Sequence, residues 1–182
     1  FILSENIRLK KILDTYLVNS EEIIAKVLID KQSPFLRSIV LSKGSKNKIK
    51  LGMAVLDNSY LVGKIVEVNY LTSRALLLSD LNSKIPVSIE PGNIQSILSG
   101  TGRNNGIIQY LKEEFDISHE SVIYTSGSGG LFKEGIPIGK VVSEEIEVNS
   151  DKKKDNNKEI NFFSNFSQLQ FVKIVSFKKD SD

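Results

Sequence analysis

Residues 125–139 read TSGSGGLFKEGIPIG, with glycine at Gly127, Gly129, Gly130, Gly135 and Gly139 and serine at Ser126 and Ser128. Glycines at this density suit a phosphate cradle, the nucleophile loop of a hydrolase, or a run of turns between strands. A phosphate loop needs Gly-x4-Gly-Lys-[Ser/Thr] leading from a strand into a helix N-terminus. Here Phe132 precedes Lys133, no hydroxyl residue follows, and Pro137 with β-type residues comes next, so no helix starts. A serine nucleophile needs a base within hydrogen-bond reach and a carboxylate to orient that base. The chain holds one histidine, His119, only a few residues before Ser126 in a polar turn, and none in its first half. The triad of a two-barrel protease cannot be assembled from these residues. Turns remain: glycine supplies positive φ and close backbone approach, and Pro137 fixes φ at a strand entrance. The structural turn residues are Gly127, Gly129, Gly130, Gly135, Pro137 and Gly139.

Outward from this loop the texture is one of short strands. Runs rich in Val, Ile and Leu cover 23–29, 38–42, 54–57, 60–68, 75–79 and 85–89, then 94–99, 106–111, 121–125, 138–148 and 168–177. Turn signals separate them, among them Ser33-Pro34, Lys43-Gly44-Ser45, Asp57-Asn58-Ser59 and Glu90-Pro91-Gly92. This predicts a mainly β protein of two small barrels. The expected division is a first barrel over 21–98 and a second over 99–182. Strand 168–177 could close either one. A faint echo links the halves: Gly63-Lys64-Ile65-Val66 and Gly139-Lys140-Val141-Val142 each open a strand. It is explained equally by related barrels or by common hairpin grammar. Residues 149–165, dominated by Lys and Asn, read as a disordered insert whose deletion leaves the fold intact.

The first twenty residues differ. Ile2, Asn6, Leu9, Leu13 and Tyr16 alternate at four- and three-residue spacing, which places them on one seam of an α-helix. A lone Asn at such a position sets register, and a helix this short needs something to bury its stripe. The end of a coiled coil, with these five residues as dimer interface, and a helix packed on its own barrel both fit the pattern.

Bulk properties narrow the function classes. The chain has 182 residues with net charge +2, so no strong field points to nucleic acid. Absence of cysteine removes disulfides and thiol chemistry. One His and scattered carboxylates give no metal site, and neither a catalytic group nor a cofactor site is expected. The chain opens on Phe1 and reads as a fragment beginning inside a helix, with any anchor upstream.

Four segments, in order, resemble the bacterial rod shape-determining protein MreC family. They are Glu5 to Leu13; Val62-Gly63-Lys64-Ile65-Val66 with Thr72-Ser73 and Leu78-Ser79-Asp80; Leu98-Ser99-Gly100-Thr101-Gly102; and the glycine loop itself, the most specific of the four. The family usually has Pro where this chain has Lys133. The resemblance implies a non-enzymatic scaffold on the periplasmic side of the inner membrane, single-pass in full length. It implies dimerisation through the N-terminal helix, and organisation of peptidoglycan synthases in the elongasome, which maintains rod shape. It further implies MreD, MreB, RodZ, a penicillin-binding transpeptidase and its glycosyltransferase as partners, and no cofactor. Alternatives are a trypsin-like two-barrel serine protease, or an inactive relative of one, and a periplasmic adaptor. An adaptor needs a long helical hairpin in mid-sequence, and none is present.

Overall fold

The computed structural model describes residues 21–32, 37–109, 117, 120–142 and 157–177. These form twelve strands: β1 (Glu22–Gln32), β2 (Arg37–Leu41), β3 (Ala54–Asp57), β4 (Tyr60–Val68), β5 (Ser73–Leu77), β6 (Lys84–Glu90), β7 (Ile94–Gly100), β8 (Asn105–Gln109), β9 (Val122–Thr125), β10 (Pro137–Val141), β11 (Lys158–Phe162) and β12 (Phe171–Val175). They close into two antiparallel barrels, in the neighbour orders β1-β12-β3-β4-β5-β2 and β10-β11-β8-β7-β6-β9.

Alternation with period two builds each wall, one face of a strand turning inward. Ile39, Leu41, Val55, Ile65, Ala75, Leu77, Val172 and Ile174 are buried in the first barrel, and Val87, Ile89, Leu98, Ile108, Ile123, Ile138 and Ile160 in the second. Each of these Val, Leu and Ile side chains contributes about 1.5–3 kcal/mol on burial. Closure requires curvature, and β-bulges supply it. The register shifts between Val27 and Ile29 on β1, Val55 and Leu56 on β3, Ile65 and Glu67 on β4, and Pro137 and Gly139 on β10.

Three expectations meet the structure differently. The first barrel does not run to residue 98, because β6 and β7 both belong to the second. Local pattern shows that 84–100 is a hairpin, but which barrel it closes depends on β7 pairing with β8 and β6 with β9, which only the later sequence supplies. The C-terminal strand, β12, lies between β1 and β3 in the first barrel. The expected insert at 149–165 contains β11, which pairs with both β10 and β8. Its Glu159 and Asn161 mark the outward face, while Ile160 is fully buried. One inward isoleucine and two flanking ladders outweigh the low strand propensity of its neighbours. The predicted N-terminal helix at 1–20 lies outside the described residues.

Candidate functional site

The glycine loop connects β9 to β10. Gly127, Gly129, Gly130 and Gly135 all have positive φ, from 64° to 87°. Beyond Gly129 and Gly130 an added Cβ would meet nothing within 4 Å, so backbone conformation alone demands glycine there. Thr125 staples the loop base: its hydroxyl donates to the Lys133 carbonyl at 2.6 Å and accepts from the Ile136 N–H at 2.9 Å. Ser126 Oγ accepts from the Ser128 N–H at 3.2 Å within the turn. Phe132 is buried and Leu131 half-exposed. Partial burial lowers the Lys133 ammonium pKa. Pro137 opens β10, and Gly139 lies within it opposite Phe162. Gly139 does not have positive φ. A Cβ there would fall on the Asn161 carbonyl oxygen, so close strand approach is its constraint. His119 and the seam residues Ile2, Asn6, Leu9, Leu13 and Tyr16 lie outside the described residues.

Two polar clusters join the barrels. Asp80, fully buried in the β5–β6 connection, accepts from the Arg37 N–H at 2.6 Å and from the Asn82 N–H at 2.7 Å. Arg37 in turn reaches across to the second barrel, donating from Nε to the Gly102 carbonyl at 2.8 Å and from its guanidinium to Asn104 Oδ1 at 2.5 Å. In the β11–β12 connection, Ser164 donates to Asp57 Oδ2 at 2.5 Å, and Phe163 packs its ring on Tyr60 with centroids 5.1 Å apart. Charge-assisted bonds of this kind hold geometry more firmly than neutral ones.

Closed barrels leave no free strand edge, so a protein partner must use side-chain faces. One face stands out. Ile24, Lys26 and Leu28 point outward from β1, and Phe171, paired opposite Lys26, points outward from β12. Ile24, Leu28 and Phe171 are 63%, 50% and 58% exposed. The Glu22–Lys173 ion pair at 3.3 Å borders them. An apolar centre with a charged rim is the anatomy of a protein-binding surface. Sequence reading missed this face and the Arg37–Asp80 clasp. A visible signal existed for the face: Ile24 and Leu28 are apolar on the side of β1 that alternation assigns to solvent. Arg37 gave none, since its partners are far along the chain.

A family model described as "Rod shape-determining protein MreC, barrel core" matches residues 27–176. A cell shape-determining protein MreC of Caulobacter vibrioides is 33% identical over 154 residues, covering 85% of this chain and 42% of the relative. The chain thus spans about two fifths of the length of that curated relative. The crystal structure of MreC from Pseudomonas aeruginosa aligns with a TM-score of 0.76 at 26% identity, over 86% of this chain and 99% of that one. A structure of a complex between Penicillin-Binding Protein (PBP2) and MreC from Helicobacter pylori contains a chain of the same fold, at TM-score 0.62 and 12% identity, covering 87% of this chain and 99% of that one. With β2 to β12 and the second half of β1 inside the matched span, the chain belongs to the rod shape-determining protein MreC family.

Proposed function

We propose that this chain is the barrel region of a non-enzymatic scaffold on the periplasmic side of the inner membrane, organising peptidoglycan synthases during cell elongation. The observation that carries this reading is the family match across both barrels. The residues support it, since the one histidine, His119, stands only a few residues before Ser126 and Ser128 and the first half holds none, so no triad can be assembled around either serine. The penicillin-binding partner of the Helicobacter pylori neighbour supports a transpeptidase of that class as a partner here. Homodimerisation through Ile2, Asn6, Leu9, Leu13 and Tyr16, a membrane span upstream, and MreD, MreB, RodZ and the glycosyltransferase as further partners belong to the same proposal. The mechanism is positional: a scaffold that binds one conformation of a synthase selectively raises that conformation's population.

We assign partner contact to the outer face of β1 and β12. Ile24→Glu with Phe171→Glu places two carboxylates in its apolar centre without touching the core. Capture of the penicillin-binding transpeptidase by the membrane-anchored protein from its own cells should fall at least tenfold, about 1.4 kcal/mol, with melting unchanged. Undiminished capture would move the contact to another surface, and loss of a serine-probe label on Ser128→Ala would overturn the scaffold reading itself.

A further inference from the structure

The two barrels match strand for strand. Going round each, β3-β4-β5-β2-β1-β12 follows the same path as β9-β10-β11-β8-β7-β6. The registers agree at single-residue level. Ala54, Val55 and Leu56 face Lys64, Gly63 and Leu61, and Val122, Ile123 and Tyr124 face Lys140, Gly139 and Pro137, each pair of strands skipping one residue at the same place. The backbone bonds beside these bulges also repeat. Leu78 N–H to Val62 O at 2.9 Å corresponds to Phe163 N–H to Ile138 O at 3.0 Å, and Ile65 N–H to Met53 O at 2.9 Å to Val141 N–H to Ser121 O at 3.0 Å. Gly63 and Gly139 meet the same obstacle, the carbonyl of the residue preceding their partner on the next strand.

In this match β12 takes the place of β6, not of a strand in its own half. Ile174 faces Val55 as Ile89 faces Ile123, and Ile174 faces Ile23 as Ile89 faces Ile94. The spans from Leu77 to Ile89 and from Phe162 to Ile174 have equal length. Their connections, 78–83 and 163–170, open on Leu78-Ser79-Asp80-Leu81-Asn82-Ser83 and Phe163-Ser164-Asn165-Phe166-Ser167-Gln168. Each contains the same turn, Asp80 Oδ1 accepting from Asn82 N–H at 2.7 Å and Asn165 Oδ1 from Ser167 N–H at 3.1 Å. Two inward positions hold the same residues, Val87 and Ile89 in β6 and Val172 and Ile174 in β12, while Ile85 and Ser88 are buried only in β6 and Val175 only in β12.

We infer that the chain is two copies of one six-strand unit, β1–β6 and β7–β12, that have traded their sixth strands, and that either sixth strand can close either barrel. Each connection is long enough for the untraded arrangement. Six extended residues span about 20 Å, whereas a barrel of six tilted strands is roughly 12 Å across. Trading exchanges Val for Val and Ile for Ile at the strand centre, so its cost lies in the differing strand ends and the path of the connections.

The absence of cysteine allows a direct test. Ile24 faces Lys173 across β1 and β12, and the trade makes Ser88 the equivalent of Lys173. In the full chain carrying a protease site in the exposed Pro91–Asn93 turn, a short bis-maleimide should link the cysteines of I24C/K173C, and cutting should leave one band on a denaturing gel. I24C/S88C should not link in the intact chain. Once the cut halves are separated in denaturant and refolded apart, I24C/S88C should link within the N-terminal half. The corresponding pair Q95C/K173C should then link within the C-terminal half. A link between positions 24 and 88 in the intact chain would overturn the trade. Absence of both links in the separated halves, folded or not, would overturn interchangeability.

Discussion

A side chain at Gly139 would have to occupy the position of the Asn161 carbonyl oxygen on the adjacent strand. Either the ladder between β10 and β11 parts or the bulge before Gly139 flattens. Gly139→Val should therefore cost about 3 kcal/mol, seen as a fall of roughly 6–12 °C in Tm. Gly129→Ala tests the other kind of glycine. Its φ is +73° with open space around it, so only the left-handed backbone resists a methyl group, at a cost of about 1 kcal/mol. Thermal unfolding of both variants separates close approach from backbone conformation, and equal losses would show that the Asn161 carbonyl yields easily. Gly127, Gly129, Gly130 and Gly135 were readable as turn residues because positive φ is what glycine supplies. Gly139 was readable only as a constrained glycine, since the obstacle comes from β11, a strand that composition concealed.

At the scale of elements, β11 carries the sharpest consequence. Deleting residues 158–162 removes a strand bonded on both sides and should abolish cooperative unfolding of the second barrel. Deleting 151–156 should cost under about 1 kcal/mol, because loop closure depends only weakly on length. Circular dichroism with urea titration distinguishes the two, and a stable protein lacking 158–162 would mean that β8 and β10 can pair directly. Strands dense in Val, Ile and Leu and bounded by a turn signal, such as Ala54–Asp57 and Tyr60–Val68 on either side of Asn58-Ser59, were legible to the residue. β11 was not, because Lys158, Glu159 and Asn161 dominate its composition while Ile160 alone carries the burial. The assignment of β6, β7 and β12 to barrels was hidden for a different reason. Antiparallel closure is settled by partners as distant as Glu22 and Val175, and local periodicity holds no record of them.

For the whole molecule, the proposed dimer seam is short: Ile2, Asn6, Leu9, Leu13 and Tyr16 cover little more than two heptads, too few to hold a tight dimer alone. Sedimentation over a concentration series should show weak self-association that strengthens when upstream heptads are restored or the protein is anchored in a membrane. Leu9→Lys with Leu13→Lys should abolish it and leave the barrels folded. Self-association as strong in the double variant as in the wild type would place the interface elsewhere. The junction between the barrels has a mechanical meaning. The chain leaves the first barrel after β5 and returns to it at β12, so the second barrel is held by two separate connections. A pull on the second barrel divides between the 78–83 and 163–170 segments and loads β5 and β12 lengthwise. Strands loaded along their axes must break many ladder bonds together, where a single tether would let them open one at a time. Built this way, the pair of barrels resists stretching as a bolt with two shanks does.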